Sequence, residues 1–184
     1  MKNRCQWAKD EPNITYHDEE WGQPQHDDKK LFEFLILEGA QAGLSWTIIL
    51  KRREGYRLAF SDFNVVKVSK YTKKHVDRLL QDESIIRNSL KVNSAVNNAK
   101  QFIKIQEEFG SFDNYLWGFV DYKQIINKFK KPSEIPTSTD ISEKLSIDLK
   151  KHGFNFVGPT ICYALMQAIG MVNDHTVDCF IRQK

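Results

Sequence analysis

The sequence predicts an all-α protein built as one domain. Three observations carry this. Every long stretch with apolar periodicity repeats at helical spacing. The one β-rich stretch, Phe60, Phe63, Val65, Val66 and Val68, is short and is expected to be a connector rather than a sheet. The 184 residues, 41% of them hydrophobic, suit one core or two lobes sharing it.

Taken in order, residues 1–27 show no helical period and are rich in aromatics and acids, among them Trp7, Tyr16 and Trp21. They are expected to be irregular and to need an anchor. Asp27 and Asp28 suit the N-cap of a helix running through Leu31, Phe32, Leu35 and Ile36 to Glu38. Ser45 suits the cap of the next, Trp46 to about Arg53, with Ile48, Ile49 and Leu50 in the core and Lys51, Arg52 and Arg53 as a solvated end. Periodicity predicts further helices over 72–81 and 89–109, the second stopped by Gly110. Phe112, Tyr115, Leu116, Trp117 and Phe119 read as core aromatics, and Lys123 to Lys131 as a basic, weakly structured connection. Pro132 and Pro136 bound the loop into a final helical pair. Asp140, three residues ahead of Glu143, opens its first member in capping-box fashion through Ile141, Leu145 and Leu149. The second carries Ile161, Leu165, Ala168 and Ile169 on one face.

The net charge is +3, but it is uneven: residues 1–28 hold seven acids against three bases, and the remainder 24 bases against 17 acids. A basic body suits a polyanionic partner, although a solvated surface would look the same. Three cysteines far apart do not form a disulfide framework. No apolar run approaches the ~18 residues of a membrane span, and no signal-peptide pattern opens the chain. A cytoplasmic protein with reduced thiols and no membrane partner is expected.

Three constellations bear on chemistry. The first is the loop Gly153-Phe154-Asn155-Phe156-Val157-Gly158 between the last two helices, with Lys150 and Lys151 beside it. A helix, a tight glycine-bounded turn and a helix can present backbone N–H groups to a phosphate without reading a base; the same residues also suit an ordinary αα-hairpin. The second is Cys5, His17, His175 and Cys179, a Cys2His2 set drawn from both ends of the chain. Cys5 and His17 do not have a zinc-finger spacing, whereas His175 and Cys179, four apart, are expected on one helix face. Cys162 reads as a core thiol, and His26, His75 and His152 as surface or phosphate-facing residues. The third is Glu38, which follows Ile36 and Leu37 and precedes small residues and Trp46. A carboxylate desolvated near aromatics suits a cationic or N–H-bearing ligand; the alternative is a glutamate fraying into water at a helix C-terminus, where its charge is unfavourable.

Several blocks resemble the 3-methyladenine DNA glycosylase I family. They are Cys5 and Trp7, Tyr16 through Gly22, Leu37 through Trp46, Ile85 through Asn88, Ile135 through Thr139, and Gly153 through Gly158 on to Asp174 and His175, in the family's order across nearly the whole chain. The resemblance implies a helix-hairpin-helix DNA glycosylase bundle, one domain over 1–184, with a zinc-tied lobe from about 1–27 and 171–184 joining the termini. It implies excision of N3-methyladenine from alkylated double-stranded DNA, with free 3-methyladenine as product. One structural zinc would be held by Cys5, His17, His175 and Cys179. Glu38 would be the catalytic carboxylate, and Tyr16, Trp46 and Glu38, with Trp21 close by, would line the base pocket. Gly43 and Leu44 would sit at the gap left by the flipped nucleotide, and Lys151, Gly153, Gly158 and Thr160 would face the DNA.

One departure from the wider superfamily is Asn173, which stands before Asp174-His175 and cannot ionise, so the superfamily's aspartate role is not carried over. No lysine follows the hairpin, where Pro159 and Thr160 stand, so a monofunctional enzyme is implied. A monomer is expected. A DNA-binding module with a zinc clip, and a zinc hydrolase, are the competing readings; release of free base from methylated DNA separates all three.

Overall fold

The structure is a computed structural model that describes residues 2–183, so the outermost residues of the expected terminal lobe, 1 and 184, lie outside it. Residues 13–19 form helix α1 (Asn13–Glu19), inside the segment expected to be irregular. Seven residues are too few to show a period, but they turn Tyr16 and His17 inward. Glu11 closes the first turn by accepting from the Thr15 hydroxyl at 2.8 Å.

Helix α2 (Asp28–Gln41) is buried from Leu31 to Ala40, as an element surrounded by others must be. Asp27 is its N-cap, accepting the Lys30 N–H at 2.9 Å. Asp28 instead reaches across to accept the backbone N–H groups of Phe112 and Asp113, at 2.9 and 2.8 Å. Helix α3 (Trp46–Ala59) runs past Arg53 because Tyr56 and Ala59 extend its buried side. Two expectations for α3 are corrected. Ile48 is exposed rather than core. Arg53 is not a solvated end but pairs with Glu20 at 2.6 Å and Glu33 at 2.7 Å.

The supposed β-rich connector is not extended: Ser61, Asp62 and Phe63 make a left-handed turn, with φ +53°, +55° and +52°, and helix α4 (Val65–Ser69) follows. Asn64 caps α4 by accepting from Lys67, and that local bond outweighs the β-propensity of three valines. Helix α5 (Lys73–Leu79) is capped with help from His75, whose Nδ1 accepts the Thr72 N–H at 3.1 Å, so His75 serves structure. Helix α6 (Ser89–Phe109) ends at Gly110, φ +84°. Helix α7 (Phe112–Trp117) stacks Phe112 on Phe102 of α6 at 3.9 Å and places Trp117 in the core.

Strand β1 (Ile125–Ile126) pairs in parallel with strand β2 (Val172–Asn173), a two-residue bridge not expected from the pattern. Between them come helices α8 (Asp140–Lys151) and α9 (Pro159–Ala168), packed on each other. The cap of α8 is Thr139, in a reciprocal box with Ser142, and not Asp140 with Glu143. Cys162 is a buried thiol in α9. The two termini are tied where the Phe180 N–H donates to the Asn3 carbonyl at 2.8 Å. No helix among the described residues is long and apolar enough to cross a membrane.

Candidate functional site

Three buried side-chain polar atoms lack a partner among the described residues: Glu38 Oε2, Trp46 Nε1 and His175 Nε2. Unpaired buried polar atoms are costly, so each marks a place built to meet something else.

The first two belong to residues that line one cavity of about 260 Å³. Helix α2 brings Glu38 to it one turn before its end, and Leu37 on the preceding position is fully buried. Helix α1 supplies Tyr16, and Trp46 begins α3; their rings lie 5.3 Å apart at 51°. Trp7 and Trp21 complete the aromatic wall, edge to face at 5.1 Å. Glu38 is 4% exposed, and burial alone raises its pKa to about 8, so in the empty cavity at neutral pH it is protonated. Burial, followed by the Glu38 charge, raises the Tyr16 phenol too.

All four residues expected at the pocket are therefore brought together. Trp7, Gln41, Ile135 and Gln167 also line it and carried no expected role. Gln41 stands three residues after Glu38, which is the one readable signal for it; Ile135 and Gln167 arrive from distant chain. A larger, open groove lies between α5, α6 and the hairpin loop, but none of the three unpaired atoms lines it.

The third unpaired atom belongs to the junction of the termini. The ligand atoms of Cys5, His17 and Cys179 lie within 4.8 Å of one another, all buried. His17 Nδ1–H donates to Asp18 at 2.8 Å, leaving Nε2 toward Cys179 Sγ, 3.4 Å away. Asp18 is itself held by Arg4, whose guanidinium lowers the carboxyl to about 2. His175 Nδ1–H donates to Asn173 Oδ1 at 2.9 Å, which fixes a lone pair on the unpaired Nε2. The His17 and His175 rings are 4.9 Å apart. Burial lowers both histidines, His175 to about 4, so both are neutral; burial pushes Cys5 up to about 11. The close group is Cys5, His17 and Cys179, with the expected fourth ligand His175 outside it; His17 Nε2 accepts the Cys5 N–H at 3.3 Å, so the unpaired imidazole lone pair is that of His175. Thiols and neutral imidazoles are the donor set a zinc ion takes, and a tetrahedral zinc edge between S and N measures about 3.5 Å.

His175 and Cys179 do not share a helix face as expected. The chain leaves β2, runs without helix through His175, turns, and reaches a 3-10 turn only at Phe180. Asp174 holds it there, accepting from Asn127 at 2.7 Å, Tyr163 at 2.6 Å and Gln167 at 2.8 Å. The same three donors keep Asp174 occupied.

The remaining residues sit on two exposed loops. Gly43 (φ +77°) and Leu44 form the turn between α2 and α3, and nothing lies within 4 Å of the space a Gly43 Cβ would take. Gly153 (φ +83°) follows α8, Gly158 is the N-cap of α9, and Pro159 takes its first position. Thr160 and Lys151 are exposed at the two mouths of this loop. His152 is engaged by its own helix: its Nδ1–H donates to the Asp148 carbonyl at 3.0 Å. His26 rests on Trp117 and Asp113.

The model of the methyladenine glycosylase family matches residues 7–183. The chain is 48% identical to the DNA-3-methyladenine glycosylase 1 of Escherichia coli (strain K12), over 96% of this chain and 95% of that one. It is 44% identical to the DNA-3-methyladenine glycosylase of Haemophilus influenzae (strain ATCC 51907 / DSM 11121 / KW20 / Rd), over 97% of both. A solved structure of 3-methyladenine DNA glycosylase I from Staphylococcus aureus, described for its recognition of 3-methyladenine, superimposes with a TM-score of 0.95 at 38% identity, covering 100% of this chain and 98% of that one.

Proposed function

The chain belongs to the methyladenine glycosylase family, and we propose that its aromatic cavity receives N3-methyladenine flipped out of alkylated double-stranded DNA. It is a DNA repair enzyme that hydrolyses the N-glycosyl bond of that base. The observation that carries the pocket assignment is that Glu38 and Trp46, each with a buried and unsatisfied atom (Oε2 and Nε1), line the same ring-walled cavity.

A methyl on N3 makes adenine cationic and its glycosidic bond labile. Tyr16 and Trp46 offer π faces to that cation, an interaction of roughly 0.5–2 kcal/mol, with Trp21 behind them. Glu38 supplies the matching anion, and capture of a cation favours its ionised form. Bond cleavage sends the C1′–N9 electron pair into the ring, so 3-methyladenine departs neutral. Water adds to the oxocarbenium-like C1′ and releases a proton, leaving an abasic site. No lysine follows the hairpin to form a Schiff base, which supports a monofunctional enzyme.

In this reading α8, residues 153–158 and α9 are the helix-hairpin-helix. The orphan N–H groups at the start of α9, with Lys151 and Thr160, grip a phosphate. Gly43 and Leu44 fill the gap in the stack, since a base acted on must leave it. Cys5, His17, His175 and Cys179 would hold one zinc; with four protein ligands it would be structural, tying a terminal lobe of about 1–27 and 171–184 to the body. The molecule would work as a single-domain monomer in the cytoplasm.

The deciding experiment is release of free 3-methyladenine from a methylated duplex by wild type and Glu38→Gln. Loss in the variant, with its melting temperature retained, supports the pocket; equal release removes Glu38 from it.

A further inference from the structure

Helix α6 carries two polar anchors on one face, each holding a different loop. Asn98 is 3% exposed. Its Oδ1 accepts the Asn155 N–H at 2.8 Å and its Nδ2 donates to the Asn155 carbonyl at 2.9 Å. Asn97 adds a bond to the Gly153 carbonyl at 2.7 Å. The hairpin backbone is thus fixed at two points from outside itself. It needs to be, because Phe156 has φ +55°, a conformation that a phenylalanine does not hold unaided.

Two turns earlier, Lys91 Nζ donates to the carbonyls of Ala40 and Ala42, both at 2.7 Å. Those carbonyls close α2 and lead directly into Gly43 and Leu44. An ammonium at a helix C-terminus is well placed against the dipole, and here it also stops the chain from choosing its own path into a left-handed glycine. Positions 91 and 98 share a helix face and are separated by about 10.5 Å of rise.

We propose that this face of α6 is a spacer that sets the distance between the phosphate-gripping hairpin and the gap-filling turn, with Lys91 and Asn98 as positioning residues. The proposal rests on the functional reading above. Both loops must act on one nucleotide step, and successive nucleotides of a strand are only about 3.4 Å apart along the axis. A misplacement of about 1 Å can cost on the order of 10²-fold in rate. Neither loop has regular structure of its own to fix that distance; a long helix does.

The test is a double-mutant cycle with Lys91→Met and Asn98→Ala, read as kcat/KM on a duplex with one N3-methyladenine and as affinity for free 3-methyladenine. Each single change is expected to lower kcat/KM on DNA by about tenfold, with free-base affinity within about twofold of wild type. The double variant should fall little further, because the spacing is lost once. Groups this far apart with no shared partner ordinarily add. Additive losses, unchanged DNA activity, or free-base affinity falling in parallel would each overturn the spacer. Lys91→Arg, which keeps N–H donors, should restore most of the activity that Lys91→Met loses. If Asn98→Ala does not fold, Asn97→Ala takes its place in the cycle with the same expectations. Failure of the underlying function is distinguishable, since wild type itself would then release no base.

Discussion

At Glu38, burial sets a charge state without help from any neighbour. Burial keeps the carboxyl neutral up to about pH 8, and in the proposed complex a cationic base would pair with its carboxylate form. Because kcat/KM reports the free enzyme, it should climb with pH and level off above about 8, close to tenfold per unit on the acid side. Glu38→Gln should flatten that rise and lower the plateau by roughly 10–100-fold, the worth of a charged hydrogen bond. The same group fixes a stability trend. Its folded pKa lies above the ordinary 4.5, so the folded state keeps a proton that the unfolded chain releases. Stability is complete below about 4.5 and is lost as pH rises through about 8, a total of roughly 5 kcal/mol. Melting curves from pH 5 to 9 should show a downward slope in wild type that Glu38→Gln largely removes; parallel slopes would place Glu38 in contact with water. The burial of Glu38 was legible from Ile36, Leu37 and the small residues after it. The unpaired Trp46 indole was not, since an unmet donor is a statement about neighbours that a sequence does not print.

Among the elements, short ones hid best. Helices α1 and α4 are too brief for a period to emerge, and α4 is spelled in valines, so its Asn64 cap was the only helical signal. The long helices α2, α3 and α6 were readable because two or more turns repeat one buried face. The group of Cys5, His17 and Cys179 was legible as residue types, but the place of His175 was not: spacing suggested a helical turn where tertiary bonds to Asp174 shape the chain. That junction matters to the pocket because α1 turns Tyr16 to the cavity and the next residue, His17, to the cluster. Trp21 also bridges them, its ring 4.7 Å from His175. Purified protein should carry about one zinc per chain by elemental analysis, the count for a closed four-ligand site. His175→Ala should lose the metal, melt at lower temperature and bind free 3-methyladenine more weakly, although no ligand touches the base. A protein that keeps its pocket affinity after chelation would separate the cluster from the cavity.

For the molecule as a whole, the excess of bases outside the first 28 residues is the feature that a duplex meets first. Steering by net charge and gripping by one phosphate site can be told apart by salt. Lys151 is exposed at the end of α8, beside the glycine turn, and in the proposed role it would contact a phosphate and read no base. Lys151→Glu should therefore weaken binding equally for intact and methylated duplexes, and should reduce the slope of log affinity against log salt by about one or more, since each lost phosphate contact is worth roughly 0.9. Affinity for free 3-methyladenine should not change, because Lys151 does not line the cavity. Measured together, the three quantities divide the molecule into its parts: a lesion-selective loss would put Lys151 in recognition of the base, whereas a uniform loss with an unchanged salt slope would remove it from the phosphate contact and leave the hairpin to its backbone N–H groups alone.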